Sequence, residues 1–541
     1  MGAFIKRNAL PIVVFITGAC VLVVEIVATR ILSPFYGNTI YSVSSIISVI
    51  LAALSVGYYV GGKLADRHPS LIYFYGLILL SGLSLVLFHF IGVVLLPILG
   101  TILSIATGPL LSSILLFFFP AFIMGMLSPY AVTLQSHLLK GEGIGSVSGV
   151  IFFWSTLGSI SGSLLAGFVL IPLVGVHEIM IGVSAVLFML GLLPLVVLGY
   201  KKNIDIAIIL FVFFASTSVY ITQAIQVEAV YRHDGLYERI TIYDGKFEGR
   251  PTRFLAQDLT MSAATHLDST DPTDLVFDYT RYYSLYDAFE IKPKRVLSIG
   301  GGAYSIPKAL IAELPDVEVD VVEIEPELYE RAKEFFFLEE SDRLRNHVMD
   351  GRRFLHDSSV PYDIIFSDVY YTFFSIPTHF TTKEFFTLAK EKLSPDGLFI
   401  GNFIGNLSTK NPSFIESEMK TFKEVFPNSY FFAVVSTTSD QPQNIMFVGV
   451  NSDAVPNFLD PKLTTHTNAV LRELHEKMIP IESIDFSDDI VFTDNYAPVE
   501  YYTGHMLQKT FSYCAKTEEL TGAKSALCSA KDMLSRLFSI F

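Results

Sequence analysis

Apolar residues crowd the first two-fifths of the chain and then thin out. Up to residue 223 they form long runs at about 11–33, 40–61, 71–92, 109–134, 147–173, 179–199 and 204–223. Each approaches the ~20 residues a helix needs to cross ~30 Å of hydrocarbon, which predicts seven spans. The stretch 93–108 is apolar but short, and Pro97, Gly100 and Gly108 interrupt it; it reads as a re-entrant or interfacial piece. The first run has no short core followed by a cleavage site, so it reads as a span rather than a removed signal. Beyond residue 224 the period changes. YERITIYDG (Tyr237–Gly245) and TRFLAQDL (Thr252–Leu259) alternate apolar and polar positions about a turn and predict a β-hairpin. FDYTRYYSLYDAF (Phe277–Phe289) predicts a tyrosine-rich helix. Strands follow at 317–324, 362–368, 397–404, 430–435 and 444–450, after a first one that opens on VLSIGGG. Helical stretches such as PELYERAKEFF and TKEFFTLAKEKL separate them, the βαβ rhythm of a mostly parallel sheet. The expected domains are a helical transmembrane bundle (1–223), a β-hairpin subdomain with a connecting helix (224–290), an α/β domain (291–510) and a C-terminal tail (511–541).

Charge sharpens the division. The chain has 541 residues and a net charge of −15. Residues 1–223 carry eight Lys and Arg against five Asp and Glu, or +3, which leaves −18 for the remainder. An acidic soluble half favours cationic substrates such as polyamines, although ordinary solubility is the plainer explanation. Neither half has the basic surface that nucleic-acid binding needs. Cys20 sits in an apolar run and reads as a small hydrophobe. Cys514 and Cys528 flank a polar tail; they would pair in an oxidising compartment and stay idle thiols otherwise. No cysteine or histidine spacing suits a metal.

Within the bundle, Glu25 falls inside the first span with Arg30 five residues on. An intramembrane carboxylate is a functional candidate, with a structural pair to Arg30 or another helix as the alternative. GYYVGG (Gly57–Gly62) and GSISG (Gly158–Gly162) place small residues four apart, which allows close helix packing. Their similar positions in the two halves of the bundle hint at an internal repeat.

The chemistry concentrates in VLSIGGGAYSIPKALIAELPDVEVDVVEIE (Val296–Glu325). Gly300, Gly301 and Gly302 allow a sharp turn and close approach of a ligand, and Glu323 ends the next strand where an acid accepts from ribose hydroxyls. Asp350-Gly351 after the third strand suits an adenine edge or a simple turn. Asp368 ends a fourth, apolar strand, where a carboxylate can take a proton or cap a loop. The ordered set points to an adenosyl-sulfonium ligand in a Rossmann-like domain.

Together with FDYTRYY (277–283), IPTHFTTKEFF (376–386) and TDNYAPVEYY (493–502), these residues resemble the spermidine synthase (aminopropyltransferase) family. With Glu25, GYYVGGKLADR (57–67) and PAFIMGMLSP (120–129), the chain is similar to its membrane-fused branch, a transporter-like bundle joined to a spermidine synthase. The resemblance implies a methyltransferase-type sheet preceded by a small β-hairpin domain. It implies decarboxylated S-adenosylmethionine as co-substrate with no prosthetic group and no metal, an amine or polyamine acceptor, and a multi-pass location in the cell membrane. Glu323 would bind ribose, Asp350 adenine, and Asp368 would deprotonate the attacking amine. Family members are commonly dimers or tetramers, so a homodimer is an expectation.

The sequence departs from the family's usual residues at Ala303, Tyr371, Glu238 (after Tyr237), Ser262 and Thr280 (after Tyr279). Most of these positions hold the aminopropyl tail and the acceptor. Tyr279, Tyr370 and Tyr371 could form an aromatic box for a cation or plain pocket wall. Two other functions therefore stand beside aminopropyl transfer: methyl transfer from S-adenosylmethionine, and a transporter or sensor whose α/β domain binds a nucleoside without turnover.

The loop charges Lys6, Arg7, Lys63, Arg67, Lys140, Lys201 and Lys202 fall on one side, which places the N-terminus in the cytoplasm. Seven spans would then put the soluble half outside, whereas the donor is made in the cytosol. Either a span is miscounted near 93–108 or the soluble half faces out.

Overall fold

The N-terminal runs are helical in the computed structural model, which describes residues 2–510 apart from 140, 201, 227–228, 259, 371–375, 408–412 and 440. Tyr371, Lys140, Lys201, Cys514, Cys528 and the tail therefore lie outside the described residues. Two units emerge, one up to Glu228 and one from Ala229.

Seven helices of the first unit are long and apolar enough to cross a membrane: Asn8–Tyr36, Ile40–Arg67, Leu71–Gly100, Gly108–Leu138, Ile144–Leu173, Val176–Val197 and Ile204–Thr222. The stretch 93–108 is not a separate re-entrant piece. The third helix continues through Pro97 to Ile102, and a short connection leads to the next helix at Gly108. Proline bends a helix without ending it when packing holds both sides, and here Leu96 is buried and Gly100 lies against Phe35. Glycine at 158 and 162 has a steric reason. A Cβ on Gly158 would overlap the carbonyl oxygen of Phe15, and one on Gly162 that of Ala19. The first and fifth helices thus touch backbone to backbone.

The second unit starts with an antiparallel sheet of four strands in sequential order, β1 (Tyr231–Asp234), β2 (Arg239–Phe247), β3 (Arg250–Gln257) and β4 (Thr260–His266). The predicted hairpin is its central pair. Both edge strands went unread because β1 is only four residues long and β4, TMSAATH, has no clean alternation. The predicted helix over 277–289 is mainly a 3₁₀ turn, Asp278–Ser284, followed by one α-helical turn.

A seven-stranded sheet follows: β5 (Arg295–Ile299), β6 (Glu318–Glu323), β7 (Leu344–Val348), β8 (Tyr362–Ser367), β9 (Leu393–Gly405), β10 (Ser429–Ala433) and β11 (Gln443–Val450), in the spatial order β10-β11-β9-β8-β5-β6-β7. The five strands from β7 to β9 are parallel, and β11 inserts antiparallel between β9 and β10. This is the mixed sheet of the methyltransferase-like α/β class. The central strands are apolar on both faces because helices cover both sides. Asp320 is the buried exception on β6; it meets His347 of β7 at 2.8 Å, Tyr362 of β8 at 3.2 Å and Arg295 of β5 at 3.5 Å. The order of the strands reverses beside β5 and β8, so their carboxyl ends open the crevice where such sheets take ligands.

Gly158→Leu should lower the thermal midpoint of the full chain in detergent by several degrees, whereas Gly182→Leu, whose Cβ would meet nothing within 4 Å, should not. Equal midpoints for the two variants would remove the close-packing argument.

Candidate active site

Strand β5 ends at Ile299, and the chain turns through Gly300 (φ +91°) and Gly302 (φ +52°) into helix Ser305–Glu313. Only glycine fits at 300: the backbone is left-handed, and a Cβ would overlap the Asp368 carbonyl oxygen. The tips of β5 and β8 are thereby drawn together. The Asp368 amide donates to Ile299 O at 3.0 Å, and the Gly300 amide donates to Val322 O at 2.9 Å.

Glu323 closes the glycine loop. It is buried, and one carboxylate oxygen accepts from the Gly301 amide at 2.8 Å and the Gly302 amide at 3.3 Å. The other accepts from the Glu325 amide at 2.9 Å. This carboxylate therefore braces the glycine loop.

Asp350 caps helix Gly351–Asp357 by accepting from the Arg353 amide at 2.8 Å. Its other oxygen meets His379 Nε2 at 3.0 Å. The hydrogen bond from His379 holds the Asp350 carboxyl below the usual range. Gly351 is buried where a Cβ would overlap Ile299, so the carboxylate stays tight against the sheet. Arg352 pins this corner by pairing with Asp494 at 2.6 Å and donating to the His379 carbonyl at 3.0 Å.

Asp368 is partly buried at the tip of β8. Asn402 Nδ2 of β9 donates to it at 2.8 Å, and Asn402 is itself held by Asn444 of β11 at 2.9 Å. The Tyr279 hydroxyl also reaches Asp368. Burial pushes the Asp368 carboxyl up, and the bonds from Asn402 and Tyr279 oppose that rise. The Tyr370 oxygen accepts from the Ile404 amide at 2.6 Å, which anchors the ring to β9. Of the three tyrosines read as an aromatic box, Tyr279 and Tyr370 both lie within electrostatic reach of Asp368.

Two acids escaped the sequence reading. Glu418, on helix Phe414–Val425, is fully buried, and neither carboxylate oxygen has a partner among the described residues. After burial, its charge raises the Tyr370 hydroxyl together with that of Asp368, and burial pushes Glu418 itself well above the usual range. The signal was the phase of the helix: FIESEMKTF puts Glu418 on the same face as Ile415 and Phe422, among core residues. Glu325, two residues beyond Glu323, is 1 % exposed; it accepts from the Tyr237 amide at 3.0 Å, and its second oxygen has no partner.

Glu238 belongs with Glu325. It is buried, takes a hydrogen bond from Gln257, and feels Asp258, Glu323 and Glu325. Burial first, then Asp258, raises it well above the usual carboxylate range. Ala303 is buried beside Ala263 and Leu328. The site thus has an acidic end at Glu238, Glu323 and Glu325 and a second acidic end at Asp368 and Glu418, with the glycine loop reaching Glu323 and Asp368 alike. No group of three metal-ligating side chains occurs among the described residues.

Residues 281–460 match the family described as "Spermine/spermidine synthase domain". A polyamine aminopropyltransferase of Vibrio vulnificus is 32% identical over 169 residues, covering 30% of this chain and 54% of the relative. Another, of Chromobacterium violaceum, is 32% identical over 158 residues, covering 29% of this chain and 60% of the relative. The chain thus spans little more than half the length of these relatives. A solved structure, a probable spermidine synthase from Corynebacterium glutamicum, aligns with 49% of this chain and 97% of its own, at 20% identity and a TM-score of 0.40. The matched residues, 281–460, lie in the second unit.

Gly300→Ala should cost about 1–3 kcal/mol through its left-handed backbone and the overlap with Asp368. A lower unfolding midpoint in full-length protein checks this; an unchanged midpoint would show that the loop can relax.

Proposed function

We propose that the protein is a membrane-integrated polyamine aminopropyltransferase. It transfers an aminopropyl group from decarboxylated S-adenosylmethionine to an amine acceptor, with Asp368 as the base. The observation that carries the reading is the pair of acidic ends flanking the glycine loop. A donor whose tail ends in an ammonium suits Glu238 and Glu325, whereas the carboxylate of S-adenosylmethionine would meet like charge there. The seven apolar helices support membrane integration.

In this reading Glu323 and Asp350 hold the ribose and adenine, and the amides of Gly301 and Gly302 keep the loop closed around them. The acceptor amine enters between Asp368 and Glu418 with Tyr279 and Tyr370 as walls. A protonated amine has no lone pair. Asp368 takes the proton and so frees the lone pair, the amine nitrogen bonds to the methylene carbon attached to sulfur, the carbon–sulfur bond breaks, and the sulfonium leaves as a neutral thioether. The sulfonium is a good leaving group already, so holding the two substrates in line supplies most of the acceleration. Glu418, whose carboxyl burial pushes well above the usual range, would hold the far end of a diamine.

Asp368→Asn should abolish formation of methylthioadenosine while leaving nucleoside affinity within about threefold, because the nucleoside contacts lie elsewhere. Loss of both together would show that Asp368 is not the base. Activity should rise with pH along an acid limb above the ordinary carboxylate range, since the deprotonated form of a raised Asp368 is the active one. Removing a stabilising donor with Asn402→Ala should move that limb to higher pH; a shift to lower pH would contradict the assigned role.

Calorimetry should show decarboxylated S-adenosylmethionine binding at least about tenfold tighter than S-adenosylmethionine, with the preference reduced in Glu238→Gln. Tighter binding of S-adenosylmethionine, with S-adenosylhomocysteine as product, would establish methyl transfer instead.

A further inference from the structure

Asp368 ends a polar chain that crosses three strands. Ser367 of β8 lies opposite Gly401 of β9, so the next residue, Asp368, falls beside Asn402. On the other side of β9, antiparallel β11 sets Met446 opposite Asn402 and Asn444 opposite Ile404. Residues two apart on a strand share a face, so Asn402 and Asn444 are diagonal neighbours on one face of the sheet. Asn444 Nδ2 donates to Asn402 Oδ1 at 2.9 Å, and Asn402 Nδ2 donates to Asp368 at 2.8 Å. Asn402 is buried, and Asn444 is half-buried between the buried Gln443 and Ile445.

The direction of this chain carries the argument. An ionised carboxylate only accepts, so it needs the N–H end of the Asn402 amide. A protonated one donates, and suits the carbonyl end. Turning the Asn402 amide round would bring its NH₂ against the NH₂ of Asn444, two donors face to face. Asn444 therefore opposes the arrangement that a protonated Asp368 prefers. It also polarises the amide, because a bond to the carbonyl oxygen strengthens the N–H donor at the other end.

The remaining groups that face Asp368 do not play this part. Tyr279, from the 3₁₀ turn, and Tyr370, just past β8, are both pushed well above the ordinary phenol range, chiefly by burial. They stay neutral while a carboxyl titrates. Glu418, from the helix packed on this side, acts on Tyr370.

We propose that Asn444 is a positioning residue for the base: it holds the Asn402 amide with its N–H end toward Asp368 and so favours the ionised carboxylate. The inference rests on the reading of Asp368 as the base; the bonds from Asn444 to Asp368 do not depend on that reading.

The test follows the ionisation of Asp368 in full-length protein in detergent, as the pH-dependent carboxylate infrared band that Asp368→Asn removes. Asn444→Leu loses the donor at similar size. The midpoint of the band should rise by about half a pH unit, and the acid limb of kcat/KM should move up with it. Asn444→Ala loses the same donor without added bulk and should shift the midpoint the same way, so the test does not hang on the leucine variant folding. In an Asn402→Ala background, neither substitution should move the midpoint further, because the link to Asp368 is already cut. A general loosening of the sheet would instead move both backgrounds alike. An unmoved or lowered midpoint in the Asn444 variants, or an equal rise with and without Asn402, would overturn the inference. Methylthioadenosine formed by a protein whose band ignores Asn444 sinks this inference and spares the transferase reading. The expected shift in a protein that forms no methylthioadenosine does the reverse.

Discussion

The soluble site depends on one carboxylate that braces backbone amides. After β5 the chain must turn sharply, and the amides of Gly301 and Gly302 are left without a partner in the sheet. Glu323, from the neighbouring strand, supplies it. A buried carboxylate is tolerated there because several N–H groups point at it. The bond fixes the loop, the loop places Gly300 against the backbone of Asp368, and that contact sets the distance between the glycine loop and the tip of β8.

The rest of the site follows a division between satisfied and unsatisfied polar groups. Asp350, Asp494, Arg352 and His379 bond to one another and to helix ends, and they hold shape. Glu325 and Glu418 keep oxygens without partners, and Glu238 is held by a single amide near other acids. Burial of this kind costs free energy unless a cation arrives. Two separated acidic ends therefore favour positively charged groups.

The bundle obeys different physics. In lipid, helices have no hydrophobic drive to associate, so contact between them rests on backbone approach at small residues. Gly158 and Gly162 provide that along the first helix.

Much of this was fixed by the order of residues. Uninterrupted apolar runs can only be buried helices or spans, and period-two strands alternating with period-3.6 helices can only stack into an α/β sheet. The glycines before a helix and the acids after β6, β7 and β8 were equally readable, because a sheet with right-handed crossovers brings strand ends to one edge. Tertiary contact decided the rest. Pro97 does not end its helix because neighbouring side chains hold it. The Tyr370 oxygen accepts from the Ile404 amide, Asp350 leans on His379, and Glu418 turns inward near Tyr370. Each depends on residues distant in sequence meeting in space, and on which buried groups then find partners. No local pattern of hydrophobic and polar positions encodes that.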